Sequence, residues 1–157
     1  MKKRLFISIG IIILISTVFW LLLSFNKKDG TLLCTSTINS NGVLIKNKYE
    51  VVYKNLYAVS VVSSEDITTE DEEVLEQYKN LLESMYQPYS EIEYYSNEIK
   101  VNKNNLSSVT KINYDKISKE DLIAVDRDNA SLYDNDKVPI QKLRKVYKDM
   151  GARCRNS

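Results

Sequence analysis

The chain contains no histidine among its 157 residues, and it has only two cysteines, two prolines and four glycines. Without histidine, the Ser-His-Asp and Cys-His arrangements that activate a nucleophile cannot form. The most common protein ligand of catalytic zinc is absent for the same reason. Hydrolase and metalloenzyme chemistry is therefore disfavoured, and we expect no catalytic residue, no cofactor and no bound metal.

Acidic residues are missing from the first 28 positions, although the chain contains 21 of them. Of the 22 basic residues, five precede Asp29 and 17 follow it. The five are Lys2, Lys3, Arg4, Lys27 and Lys28. The chain after Lys28 therefore carries a net charge of −4. A mildly acidic surface does not attract a phosphate backbone, which argues against nucleic acid as a partner.

An uncharged apolar run of 21 residues extends from Leu5 to Phe25. As a helix it would be about 32 Å long, which matches a bilayer core of about 30 Å. The basic residues at positions 2–4 favour a cytoplasmic N-terminus. We therefore predict a single-pass signal anchor within residues 1–29 and one extracytoplasmic domain at 30–157. The lipid bilayer is thus an expected partner, and the cell membrane is the expected location.

Other interpretations of this run fit less well. A buried core helix would be amphipathic, and a cleaved signal peptide would have an apolar core of about 7–15 residues followed by a small-x-small site. The residues after Phe25 are Asn-Lys-Lys-Asp-Gly, which contain no such site. A lipoprotein signal would place small residues before its cysteine, whereas Leu32 and Leu33 precede Cys34. A retained anchor is favoured, and cleavage remains the alternative.

The two cysteines, Cys34 and Cys154, lie near the two ends of the predicted domain. They form no CxxC motif, and cysteines outside the cytoplasm tend to pair. We predict a disulfide between them that ties the last strand or tail to the first strand. The alternative is a pair of buried free thiols.

Alternating apolar and polar residues predict an α+β fold, in which an antiparallel β-meander sheet is covered by amphipathic helices. The first strand is expected at 31–39, followed by a turn at 39–42. In the second strand Ile45, Tyr49, Val51 and Tyr53 share one face. A third strand is expected at 56–63. Further strands are expected around 92–101, with a turn or bulge at Ser96-Asn97, and at 106–114.

Three helices are expected over this sheet. Thr69 and Glu72 form a capping box for the first helix, which Pro88 ends. Its apolar stripe consists of Val74, Leu75, Tyr78, Leu81, Leu82 and Met85. A short helix is expected at 118–125, a loop at 126–137, and a last helix from Pro139 to Gly151. The residues expected to face inward from that last helix are Ile140, Leu143, Val146, Tyr147 and Met150.

Three groups of side chains could carry chemistry. Tyr86, Tyr89, Tyr94 and Tyr95 could form an aromatic platform for a sugar or peptide, or simply the edge of the core. An acidic cluster (Glu65, Asp66, Glu70, Asp71, Glu72, Glu73, Glu76) could attract a cation, or could compensate the helix dipole. The segment 126–136 faintly resembles a calcium loop, but it lacks the glycine and the bidentate glutamate of an EF-hand.

Three short stretches of the chain are informative together with the order of strands and helices over 31–155: Tyr53-Lys54-Asn55, Ile112-Asn113-Tyr114-Asp115 and Gly151-Ala152-Arg153-Cys154. In these features the chain resembles the YehR-like family of small bacterial lipoproteins. The resemblance implies an α+β envelope domain and supplies no catalytic residues. The chain departs from the family before Cys34, where the lipobox is missing. A transmembrane helix would then replace the lipid, and Cys34 would be free to form a disulfide.

These observations lead to two hypotheses about function. In the first, the chain is a non-enzymatic module of the bacterial cell envelope that binds a protein or small ligand. In the second, it is a structural or accessory subunit of a membrane complex in which the anchor makes specific contacts. An enzyme is the least favoured of the three classes.

Overall fold

A computed structural model describes residues 29–157. The predicted transmembrane helix at Leu5–Phe25 lies outside these residues. Within 29–157, no helix combines the length and the apolar character needed to cross a bilayer.

The described chain forms one sheet of six antiparallel strands, which confirms the predicted α+β class. The strands are β1 (Gly30–Ser40), β2 (Val43–Lys54), β3 (Tyr57–Thr68), β4 (Tyr95–Asn102), β5 (Asn105–Asn113) and β6 (Arg153–Asn156). Their order across the sheet is β4-β5-β3-β2-β1-β6. The first three strands form the expected meander, and β3 extends five residues beyond the predicted end at Ser63. The final strand, β6, returns to pair with β1 at the edge of the sheet.

Three helices supply the side chains that bury one face of the sheet. They are α1 (Glu72–Tyr86), α2 (Lys119–Val125) and α3 (Ile140–Asp149), and short 3-10 segments follow at Gln87–Tyr89 and Arg127–Leu132. The face that they cover carries Tyr49, Val51 and Tyr53, as the alternation in β2 predicts. The opposite face of β2 carries the exposed lysines and glutamate.

The first helix begins differently from the prediction. Asp71 is the N-cap, and its Oδ1 accepts hydrogen bonds from the backbone N–H groups of Glu73 and Val74. Thr69 lies before the helix, where its Oγ1 accepts a hydrogen bond from Asp71 N. The predicted capping box at Thr69 and Glu72 is therefore wrong, because a carboxylate two residues later provides the cap.

Three other local predictions are also wrong. Ser96-Asn97 is neither a turn nor a bulge, because it lies inside the continuous strand β4. Leu81 and Met85 are more than half exposed, so the buried stripe of α1 is narrower than predicted and centres on Leu75 and Leu82. In α3, Ile140, Leu143 and Tyr147 are buried as expected, whereas Val146 and Met150 are exposed.

The predicted disulfide between Cys34 and Cys154 is present in the structure. The two residues face each other across β1 and β6 in the antiparallel register. Cys34 is fully buried, and Cys154 is partly exposed. The bond therefore fastens the edge strand to the strand at the start of the domain.

The covered face of the sheet holds two separate apolar clusters. The larger one is built on β1, β2, α2 and α3, and it includes Leu32, Val51, Leu122 and Ile140. The smaller one lies under α1 and consists of the buried residues Ile67, Leu75, Leu82 and Leu106. The region between them is polar.

Candidate functional site

A belt of polar side chains crosses the covered face of the sheet between the two apolar clusters. Its members lie in adjacent register positions: Ser36, Asn47, Glu65 and Ser108 in one row, and Ser63, Thr110 and Asn97 in the next. Asn47 Nδ2 donates to Ser36 Oγ at 3.3 Å. Asn97 Nδ2 donates to both Ser108 Oγ and Thr110 Oγ1 at 2.9 Å. These hydrogen bonds join β1 to β2 and β4 to β5, and they give the buried hydroxyls of Ser108 and Thr110 an amide partner.

Glu65 lies in the middle of this belt, between Asn47 on β2 and Ser108 on β5. Its carboxylate is partly buried, and none of the five ion pairs among residues 29–157 includes it. Desolvation therefore raises the pKa of Glu65 above its usual value. Tyr49, whose pKa is also raised by burial, feels the negative charge of Glu65 as well.

Because its pKa is raised, the ionised form of Glu65 destabilises the folded protein, and this effect depends on pH. The folded protein binds the proton of Glu65 more tightly than the unfolded chain does, so protonation of Glu65 stabilises the fold. This stabilisation is complete below the unfolded pKa of 4.5 and is lost as pH rises through the folded pKa. We expect Glu65→Gln to raise the free energy of unfolding at pH 7, on the order of 0.5 kcal/mol for a half-exposed group. The gain should vanish near pH 3. Denaturant titrations of both proteins between pH 3 and pH 8 measure the difference.

Glu98 provides a matched control on β4, two strands away from Glu65 in the sheet. Its pKa is lowered, because Lys100 donates a hydrogen bond to its fully exposed carboxylate. Glu98→Gln should therefore change the free energy of unfolding in the opposite direction. We expect a small decrease at neutral pH that disappears as pH falls through the folded pKa of Glu98. A loss at pH 7 with Glu65→Gln would show that the ionised Glu65 has a stabilising partner.

Three of the four tyrosines in the predicted aromatic platform come together at the end of this belt. Tyr89 and Tyr95 stack with their ring centroids 4.9 Å apart and an interplanar angle of 19°. Tyr86 at the end of α1 is close enough to raise the pKa of both. Tyr94 is not part of this group, because its ring is exposed and lies beneath Lys116 Nζ at 5.3 Å.

The hydroxyl groups of Tyr89 and Tyr95 remain protonated at neutral pH, because the pKa of each is raised above its ordinary value. Burial is the main cause that raises the pKa of Tyr95, with smaller contributions from Tyr86 and Tyr89, and the neighbouring Thr110 hydroxyl partly opposes the shift. Burial also raises the pKa of Tyr89. Both side chains therefore offer a neutral O–H donor beside an aromatic ring.

A cavity of about 440 Å³ opens beside Tyr86 and Tyr95, between the end of α1 and strand β4. It is lined by Glu83, Tyr86, Gln87, Ser90, Tyr95, Ser96, Asn97 and Ile99. Small-molecule sites are typically about 300–1,000 Å³ in volume, with a few polar groups that set orientation. Because Asn97 donates both of its belt hydrogen bonds through Nδ2, its amide oxygen remains for a ligand.

The other two candidate groups do not form a comparable site. Glu65 points to the covered face of β3, whereas Asp66 lies on the open face and Asp71 caps α1. In the calcium-like segment, Asp126 caps the 3-10 segment that follows it, and Asp136 Oδ1 accepts from Lys119 Nζ at 3.2 Å. Among residues 29–157 no three acidic or cysteine side chains gather closely enough to hold a metal ion.

Sequence reasoning missed two residues that matter for this site. Asn97 was expected in a turn, although it alternates with Tyr95 and Ile99 on one face of β4. Glu65 was assigned to the acidic cluster, although it shares its parity with the buried residues Val61 and Ile67. Strand parity was the available signal in both cases.

No family model and no curated protein matches this chain. The solved NMR structure of the E. coli YehR protein is similar, with a TM-score of 0.53 and 16% identity, covering 80% of this chain and 91% of that chain. The NMR structure of a protein from Streptococcus pneumoniae TIGR4 is also similar, with a TM-score of 0.50 and 15% identity, covering 83% of this chain and 88% of that chain. The resemblance to YehR is therefore confirmed at the level of the α+β fold.

Proposed function

We propose that the chain is a membrane-anchored, non-enzymatic binding module that takes a small, neutral, hydroxyl-rich ligand outside the cytoplasm. A short oligosaccharide is the class of ligand with this chemistry. The observation that carries the proposal is the cavity beside Tyr86 and Tyr95, where tyrosine rings, carboxamides and serine hydroxyls converge.

The chemistry of the lining suits a sugar. A sugar ring presents C–H groups that pack against aromatic faces, and its hydroxyls both donate and accept hydrogen bonds. Gln87 and Asn97 each carry a carboxamide, which also donates and accepts. Tyr95 adds a neutral phenol, since its ordinary pKa lies well above neutral pH and burial raises that pKa further. Glu83 contributes the one carboxylate in the lining.

The location in this proposal rests on the amino-acid sequence. The apolar run at 5–25 and the basic residues before it support an anchor with the domain outside. The disulfide supports the same side of the membrane, because such bonds persist in oxidising compartments.

Ligand binding is tested by titrating the full chain in detergent or nanodiscs with chitotriose and with maltotriose. We expect Gln87→Ala to weaken binding about fivefold, because a hydrogen bond of about 1 kcal/mol is lost. Gln77→Ala is the matched control, since Gln77 is exposed on α1, which ends just before Gln87, and it does not line the cavity. Isothermal titration calorimetry measures both affinities.

Two further outcomes separate this proposal from its alternatives. Glu83→Gln should leave the affinity for a neutral saccharide nearly unchanged, whereas a large loss would indicate a cationic ligand. An absence of saturable binding to either probe would contradict the saccharide. If the chain is instead an accessory subunit, replacing residues 5–25 with an unrelated transmembrane helix should abolish its function, which a binding module would retain.

A further inference from the structure

The turn between β2 and β3 has an unusual residue at its tip. Its two central residues, Asn55 and Leu56, both have left-handed backbone angles, with φ of 50° and 69°. A two-residue hairpin of this kind favours glycine in the second position, because a Cβ is strained there. Asn41-Gly42, in the turn at the opposite end of the sheet, follows that preference with φ of 52° and 79°. Leu56 thus occupies a position at which its Cβ is strained.

The side chain of Leu56 does not contribute to either apolar cluster. It is 46% exposed, although its backbone is fixed because its carbonyl accepts a hydrogen bond from Ile140 N at 2.9 Å. Lys54 and Lys137 both line a small cavity of about 190 Å³ next to the turn, in which Asp115 is the one carboxylate. Lys137 Nζ lies over the Tyr57 ring, 5.4 Å from its centroid. Within residues 29–157 neither lysine forms an ion pair with a carboxylate. Interfacial binding combines burial of apolar surface with attraction of cations to anionic lipid, and this turn carries both kinds of side chain.

The turn also lies at the end of the domain where the predicted anchor joins it. The backbone N–H of Asn55 donates to Asp29 Oδ1 at 2.6 Å. Asp29 follows Phe25, the end of the predicted span, by four residues, which reach at most about 14 Å when fully extended. The headgroup layer itself is roughly 5–8 Å thick on each side of the bilayer. A retained anchor therefore holds the turn beside this layer.

We propose that the β2–β3 turn is a membrane-docking tip for anionic lipid. Leu56 inserts among the headgroups, and Lys54 and Lys137 bind lipid phosphates beside it. The docked tip restricts how the domain tilts on its short connection. This inference rests on the anchor in the proposed function, and it is independent of the ligand cavity.

The test uses the full chain with Trp20→Phe, which removes its one tryptophan. Leu56→Trp then reports lipid contact through quenching by lipids brominated high on the acyl chain. Val101→Trp is the control, because Val101 is 47% exposed at the opposite end of the sheet. In vesicles containing phosphatidylglycerol, we expect strong quenching at 56 and little at 101. We expect either single substitution, Lys54→Gln or Lys137→Gln, to lower the ratio of docked to undocked domain roughly fivefold.

Leu56→Gly provides a second test. If Leu56 served only the stability of the fold, its replacement would not raise stability and remove lipid contact at the same time. Relief of backbone strain should raise the thermal midpoint of the domain, while the contact with lipid is lost. Hydrogen exchange of the 53–59 segment measures the lipid contact without a tryptophan at position 56. Protection that depends on phosphatidylglycerol is expected in the wild type and not in Leu56→Gly.

Equal quenching at 56 and 101, or protection that is insensitive to lipid charge, would overturn the docking tip. Co-flotation with vesicles separates this failure from failure of the anchor. A chain that floats without quenching at 56 retains its anchor and refutes only the tip. A chain that does not float refutes the anchor and the tip together, whereas saccharide titration of the cavity is unaffected by either result.

Discussion

Replacement of both Cys34 and Cys154 with alanine is expected to lower the free energy of unfolding by about 3–5 kcal/mol. The disulfide joins positions that are 120 residues apart, so it closes a loop that includes nearly the whole domain. A loop of this length removes a large amount of conformational entropy from the unfolded chain. Typical domains are stable by only about 5–15 kcal/mol, so the loss is a large share of the total.

The position of the bond adds a local effect. β6 has four residues and lies at the edge of the sheet, where it pairs with β1 alone. It follows the end of α3, where Ala152 N donates to Tyr147 O, and Tyr147 stacks on Tyr49 with ring centroids 4.2 Å apart. Without the disulfide, we expect β6 to open first and the end of α3 to loosen with it.

Denaturant titration of the oxidised wild type, the reduced wild type and the double-alanine variant measures this loss. The reduced wild type keeps both sulfur atoms, so it separates loss of the crosslink from loss of side-chain volume. A reductant can reach the bond from the side of Cys154, which lines a surface groove. The alanine variant should not respond to reductant. A difference below about 1 kcal/mol between oxidised and reduced protein would contradict the entropic argument.

The features predicted correctly from the sequence depend on local periodicity. The alternation of Tyr49, Val51 and Tyr53 gives the covered face of β2, and Leu75 and Leu82 give the buried side of α1. The disulfide was predictable too, because the count and position of the cysteines leave few options.

Other features depend on contacts between distant parts of the chain. β6 is only four residues long, so periodicity cannot identify it, and its place beside β1 is set by the tertiary fold. A helical wheel places Leu81 on the buried side of α1, yet its side chain is 53% exposed. The sheet covers only the part of α1 that carries Leu75 and Leu82. Gln87 and Asn97 line the same cavity although ten residues separate them, and no local pattern specifies that arrangement.

Leu106→Ala is expected to cost about 2–5 kcal/mol, because it removes a fully buried side chain and leaves a cavity. Leu106 lies in the smaller apolar cluster with Ile67, Leu75 and Leu82. The polar belt separates this cluster from the larger one, so few apolar neighbours are available to fill the space. We therefore expect the damage to fall mainly on the attachment of α1 to the sheet.

Val101→Ala is the matched control for Leu106→Ala. Val101 faces Leu106 directly across β4 and β5, but it is 47% exposed whereas Leu106 is 0% exposed. Its truncation should cost less than about 1 kcal/mol. Denaturant titration gives both values, and a cost for Leu106→Ala no larger than this would contradict the existence of a tightly packed second cluster.

Hydrogen exchange shows where the loss falls. If the belt divides the domain energetically, Leu106→Ala should speed amide exchange in α1, while exchange in α3, which carries Tyr147, changes little. Because α1 supplies Tyr86 to the ligand cavity and Gln87 follows directly, saccharide binding should weaken in this variant even under conditions where the larger cluster stays folded. Uniform acceleration over both helices would instead mean that the two clusters unfold as one unit. The row of hydroxyls and amides around Glu65 would then act as a continuous part of the core, and the cavity would be as stable as the sheet beneath it.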